Sequence, residues 1–452
     1  MAELSPKIIL RMGSHSEKEY IEKTAKFLDG LLIGANLMEA TPGATCSLLL
    51  KLCGAKNTIP YYLDPMTYAY GSYIDPQSGV FRQDMDWIKS EQKRKGKTIK
   101  AFKRSYDALA DKLGGVFSNA LSRGIAVSPG DFSTSKICED TCKSVVNYQL
   151  DRIATEFRED AEYASFAADA PKPSAVFAPY FYIDPKNTNA WLKTVLQLAQ
   201  TTAGLNAGQP VHTVICVDEG ALANQQFSDF IGAELPKTKI QGVWFWFSRL
   251  YEEGASEPKL RMYRKLVETL SSRMEVYMLH GGYFSLIMSK YGLSGVSHGV
   301  GYGEQKNVVP VIGQSTPTVR YYLPPIHRRL SVAQIERCFD ALNIATVSDF
   351  HSAICGCVVC KGVVAKNLKD FEAFGARHHS TAASKRMAQT PAAAKRCRYH
   401  FLLKRIEERD WIKATALPAI VNNLKGAYGT WCKQPTVNSE CGHLAVWENV
   451  LK

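Results

Sequence analysis

The 452-residue sequence contains no run of eighteen or more apolar residues, so it offers no segment that reads as a membrane-spanning helix. Its start, MAELSPKIILRMGSHS, lacks the charged-then-apolar layout of a secretory leader. The expected compartment is therefore the cytoplasm, with no membrane partner. Repeat architecture is absent as well. The first apolar run ends in RMGSHS without a GxGxxG phosphate loop, which argues against an open dinucleotide-binding sheet. Acidic residues are the scarcer charge: 43 Asp and Glu stand against 55 Lys and Arg, a formal +12 with a pI near 9.0. That surplus suits a polyanionic partner, nucleic acid first, and equally the plainer alternative of a solvated lysine surface. Basic residues gather between Lys89 and Arg104, opposed only by Glu91, and again at Lys385, Arg386, Lys395, Arg396, Arg398, Lys404 and Arg405.

What is present is a 46% hydrophobic chain able to bury a large core. Short β-branched and aromatic runs alternate with longer segments of helical spacing, the sign of βα units around a parallel sheet. The runs are Lys7 to Met12, Ile59 to Asp64, Ala175 to Asp184, His212 to Asp218, Gly242 to Phe247, Glu275 to His280, Gly295 to Gly299 and Val308 to Ile312. Eight such strands can close into a (β/α)8 TIM-like barrel, expected over 1–80 and 164–330. A charged helical insertion is expected over 81–163, after the second strand, with Pro171 and Pro173 marking the return. From Leu330 the pattern turns helical, and 331–452 reads as a C-terminal zinc-binding helical module. The Ala/Ser/Thr/Lys-rich stretch from Ser380 to Lys395 reads as a loop.

Twelve cysteines are scattered except in ICGCVVC, where Cys355, Cys357 and Cys360 place three thiols within six residues. In a reducing compartment such a cluster more often holds metal than disulfides. Zinc takes four ligands at tetrahedral corners, and His378, His379 and His400 are the candidates for the fourth. His400 is favoured because CRYHFLLKRIEERDWI has helical spacing that projects it from a rigid element. An all-protein ligand set leaves no place for water, so this zinc would be structural. Free thiols packed in a core are the competing reading.

CxCxxC followed by a helical histidine, just after a (β/α)8 barrel, resembles the tRNA-guanine transglycosylase superfamily. The HFLLKRIEERDWI segment is similar to the helix that follows the zinc histidine there, although the gap from Cys360 to His400 is longer than usual. Tyr62-Leu63-Asp64 with the following PMTYAYG looks like a degenerate form of the family's base-handling Asp segment. The usual DxFDxV-like nucleophile motif is absent, and SGVSHGVGYGEQK stands in its approximate place. The large helical insertion and the widely separated aspartates look more like the bacterial branch that inserts 7-deazaguanine bases into DNA.

The resemblance implies a pentosyltransferase that exchanges guanine in nucleic acid, DNA or tRNA, for a 7-deazaguanine base, with a helper protein to open duplex DNA. Such chemistry needs a carboxylate to attack the anomeric carbon and an acid/base group near the purine. Aspartates at the C-terminal ends of different strands converge on one mouth, which nominates Asp218 as nucleophile and Asp64 as acid/base and base-reading group. Asp184 is the reserve for either role, and each of these could instead be a helix cap. His280 with Gly281 and Gly282, and His298 among its glycines, are candidates for the base pocket, or else tight turns with satisfied histidines. Two alternatives remain: a barrel that has lost catalysis and only binds nucleic acid, and a hydrolase using His280 and His298 as metal ligands.

Overall fold

A computed structural model describes residues 6–54, 59–71, 100–123, 125–183, 188–301, 307–308, 318–379, 387–434 and 436–452. Among the described residues, nine strands make the main sheet: β1 (Lys7–Met12), β2 (Gly30–Gly34), β3 (Tyr61–Asp64), β4 (Val176–Phe177), β5 (Tyr182–Ile183), β6 (Val211–Asp218), β7 (Gly242–Ser248), β8 (Glu275–Leu279) and β9 (Gly295–His298). All pair in parallel, in the order β3-β2-β1-β9-β8-β7-β6-β4, with β5 also on β6. Pro179, which has no N–H to give a ladder, lies between β4 and β5 and splits what is otherwise one stave. The remaining seam is spanned by Ser174 N–H to Tyr61 O at 2.8 Å and by Thr67 Oγ1, which bonds both Tyr180 O and Tyr180 N–H. Eight staves in chain order thus form a nearly closed parallel barrel.

Alternation along the strands produces two apolar layers. Ile8, Leu10, Leu31, Ile33, Tyr61, Leu63, Val243 and Phe245 belong to the layer between barrel and helices. Ile9, Leu32, Tyr62, Phe177, Val214, Cys216, Trp244, Trp246, Tyr277 and Leu279 fill the barrel itself. This interior is more aromatic than the usual Val, Ile and Leu layers.

Two expectations need correction. The stave at β2 was not among the expected strands, because all five residues of GLLIG are buried and a run apolar on both faces carries no alternation. Among the described residues the eighth stave is therefore β2. Val308 fills the barrel interior from outside any strand, its N–H on Ser248 Oγ at 3.1 Å, and 309–312 lie outside the described residues. The helical segment accordingly follows the third strand. Its described helices are Lys100–Leu113, Gly115–Arg123 and Ser135–Glu159. The last starts at Thr134, whose side chain accepts Ile137 N–H. Gln149 from this helix bonds both N–H and C=O of Phe177 in β4, and Arg152 pairs with Glu39 and Glu156. The basic run from Lys89 to Lys97 lies outside the described residues.

Beyond the barrel, the hairpin β10 (Tyr321–Leu323) with β11 (Arg328–Leu330) leads to short helices. A second hairpin, β12 (Arg377–His379) with β13 (Met387–Gln389), is followed by the 24-residue helix Pro391–Ala414. That helix begins inside the stretch expected to be a loop, because Thr390 caps it and Pro391 suits its first position. Residues 380–386 lie outside the described set. The final helix, Gly442–Leu451, returns to the barrel, with Trp447 Nε1–H on Glu252 O at 3.2 Å. Among the described residues no helix is long and apolar enough to cross a membrane.

Candidate active-site mouth and metal centre

The pleat that sends Ile9, Leu32, Tyr62, Cys216 and Trp246 into the barrel also turns Arg11, Gly34, Asp64, Asp218 and Ser248 inward, two residues further on. These residues sit at the C-terminal ends of the strands, the face where barrel loops assemble active sites. Both aspartates expected at strand ends therefore belong to the same mouth. Asp64 is buried, and its Oδ1 accepts the Met66 N–H at 2.9 Å and the Tyr180 hydroxyl at 2.7 Å. Among the described residues, Oδ2 receives no hydrogen bond. Asp218 has both oxygens engaged. Oδ1 accepts Gly220 N–H at 2.9 Å, the turn geometry of a cap, while Oδ2 receives Arg249 Nε at 3.0 Å and its Nη2 as well. That contact holds the Arg249 guanidinium's pKa up, although the side chain is 61% exposed at the rim.

Three non-glycine residues at this face take left-handed backbone conformations: Met66 (φ 54°), Arg249 (φ 69°) and His280 (φ 67°). Each costs on the order of 1–2 kcal/mol, and such outliers collect at functional sites. Around the carboxylates, Tyr68 stacks on Tyr180 at 5.6 Å and meets Trp246 edge-on at 4.9 Å. His280 is buried with its ring 5.0 Å from Trp246. His298 is also buried, with Nδ1 3.0 Å from Gly299 O and its ring edge-on to Phe401. The Gly281 amide donates to Ser297 O and the Gly282 amide to Glu252, so both are used within the protein. A Cβ at Gly282 would lie 2.6 Å from Glu252 Oε2, which explains the glycine. Asp184, Tyr302 and Gly303 lie outside the described residues.

Sequence reasoning passed over three of these groups. Arg11 gave no signal inside an apolar run. Arg249 and Glu252 sit in SRLYEEGA, where nothing separates Glu252 from Glu253. Glu252 is buried and accepts the N–H groups of Gly282, Phe284 and Ser285 together with the Ser285 hydroxyl, and burial pushes its pKa up.

At the second centre, Cys355, Cys357, Cys360 and His400 are all buried, with ligand atoms within 4.8 Å of one another. Cys357 caps the short helix Val358–Val363 by accepting Cys360 N–H, so one tight turn aims all three sulfurs. His400 Nδ1 lies 3.8, 3.4 and 3.4 Å from the three Sγ atoms in chain order. Those spacings match the roughly 3.6 Å edge of a tetrahedron with Zn–S near 2.3 Å and Zn–N near 2.0 Å. His400 Nε2–H donates to Tyr322 O at 2.7 Å, which fixes the tautomer with Nδ1 facing the sulfurs. Hydrogen bonds from Cys355 and Cys360 pull the Cys357 thiol's pKa down, while burial pushes Cys360 up. The set can hold a metal ion. His378 and His379 are exposed in β12 and take no part. Neither His280 nor His298 joins a metal-ligand cluster among the described residues, and no cysteine forms a disulfide.

In the second basic stretch, Lys395, Lys404 and Arg405 pair with Glu19, Glu407 and Glu408. Lys385 and Arg386 lie outside the described residues. Compared with protein-family models and with curated proteins, the sequence matches none.

Proposed function

We propose that the protein is a transglycosylase that exchanges guanine in nucleic acid, DNA foremost, for a 7-deazaguanine base. The observation that carries this reading is the pair of inward-facing carboxylates, Asp64 and Asp218, at the C-terminal mouth of an eight-stave barrel. The downstream Cys3His cluster supports it, with zinc as the ion its donor set suits and a folding role for that zinc. The net +12 charge suits a polyanion.

In the reaction, one carboxylate oxygen bonds the sugar's C1′ as the C1′–N9 bond breaks. The electron pair leaves on guanine, which takes a proton from the second carboxylic acid. The incoming base then forms its own N9–C1′ bond, gives up its N9 proton to that carboxylate, and expels the first. Asp218 serves as nucleophile once Arg249 swings away, and Asp64 as the acid/base group. The hydrogen bonds favour a second assignment too, with Asp64 attacking through its open Oδ2. Engagement of both Asp218 oxygens also suits a barrel that binds nucleic acid without reacting.

Single-stranded DNA incubated with radiolabelled guanine should take up label, and Asp64→Asn and Asp218→Asn should each reduce uptake by at least about a hundredfold. Mass spectrometry of an acid-quenched reaction should locate the adduct on one of the two. Full exchange in both variants would defeat the site, and wild-type protein that binds the oligonucleotide without exchange or adduct would establish the binding-only alternative.

A further inference from the structure

Arg11 is the penultimate residue of β1. Ile8, Leu10 and Met12 pack outward against helices while Ile9 fills the barrel, so Arg11 points into the mouth. It is half-buried, yet among the described residues it makes no hydrogen bond or ion pair. By contrast, Arg152 has Glu39 and Arg409 has Asp29 as carboxylate partners. Burial raises the pKa of the Tyr68 and Tyr106 hydroxyls, and Arg11 is the nearby cation that opposes it for both, with Asp64 acting in the other direction. Arg11 and Asp64 therefore share one side of the mouth.

A guanidinium placed inside a barrel without a partner loses hydration and gains nothing in return unless a ligand supplies acceptors. Its planar fork calls for two acceptors side by side. Building on the transglycosylase reading, the base must travel deepest to bring C1′ to the carboxylates, while phosphates stay at the rim near exposed Arg249. Guanine presents O6 and N7 together, whereas adenine pairs N7 with a donor. We propose that Arg11 reads the O6/N7 edge of the outgoing guanine and stabilises the negative charge it acquires as the C1′–N9 bond breaks. A 7-deazaguanine carries C–H in place of N7 and keeps only one of these bonds. Arg11 thus selects guanine for departure and holds the inserted base less tightly.

The test uses thymidine oligonucleotides with one central guanine, hypoxanthine, 7-deazaguanine or adenine, with binding followed by fluorescence anisotropy. Wild-type protein should bind guanine and hypoxanthine alike, and 7-deazaguanine and adenine on the order of tenfold more weakly. Arg11→Lys, which keeps the charge but not the fork, and Arg11→Ala should both flatten this ladder, with thermal melts confirming that the variants are folded. Equal loss of affinity for all four oligonucleotides in Arg11→Ala, with the ladder intact, would overturn the proposal by making Arg11 a phosphate contact. A flat wild-type ladder would overturn it as well. Labelled-guanine exchange run in parallel separates the two readings, because a ladder without exchange defeats the transglycosylase and leaves Arg11 a base reader.

Discussion

Replacing His400 with alanine should separate what a bound metal contributes from what the imidazole contributes by packing. The ring is wholly buried, stacks on Tyr321 at 4.2 Å, and donates to the Tyr322 carbonyl at 2.7 Å. Losing the stack costs about 1 kcal/mol, and the cavity left behind about 1–2 kcal/mol. Stranding a buried carbonyl without its donor adds about 1–3 kcal/mol. Metal-free His400→Ala should therefore be roughly 4 kcal/mol less stable than metal-free wild type. The wild type should gain about 2.7 kcal/mol more with free zinc at a hundredfold over its Kd, a gain the variant forfeits. Urea unfolding followed by tryptophan fluorescence, with zinc or with chelator, measures both differences, and a colorimetric count should find one metal per wild-type chain. If chelator shifts wild type and variant equally, or if reduced wild type carries no metal, the four residues are a packed thiol cluster and the argument fails.

Acid should destabilise the protein partly through His212. Burial holds its imidazole down to about 4, against the pull of Glu275. The unfolded chain takes up a proton near pH 6.5 while the folded one resists, so stability present above that value drains away as pH falls toward 4. The loss is worth about 3 kcal/mol. His212→Gln should flatten that part of a plot of urea midpoint against pH, with a residue left by His443, which burial depresses to about 3. Separately, Arg152→Met would leave Glu39 and Glu156 without their shared guanidinium in a nearly closed environment. A loss of about 3–5 kcal/mol is expected, toward the low end because Lys112 remains on Glu39, and thermal melting should show it.

Much of the barrel was legible because parallel strands flanked by helices leave short β-rich runs at regular intervals, and seven of the eight expected runs lie at staves. The stave missing from them was β2. Its GLLIG run is buried on both faces, and a central strand of that kind has no period to read. The metal centre was legible for the opposite reason, since Cys355, Cys357 and Cys360 are aimed by one turn whose geometry depends on little beyond their own spacing. The loop expected from Ser380 was misread at its far end, where alanine-rich composition marks the start of a helix capped by Thr390.

By itself, then, the sequence determined what local rules can carry: the alternation that makes βα units, the clustered thiols, and the placing of Asp64 and Asp218 at strand ends. Tertiary structure decided everything that depends on residues far apart in the chain. It chose His400 over His378 and His379, forty residues from Cys360, by setting its helix against the hairpin that carries Tyr322. It closed one oxygen of Asp218 with Arg249 and the other with the Gly220 N–H, and it left Arg11 at the barrel mouth with no hydrogen bond or ion pair among the described residues. Partnership is a property of space, and neither the pairing of Asp218 nor the placing of Arg11 leaves a mark on neighbouring residues in the sequence.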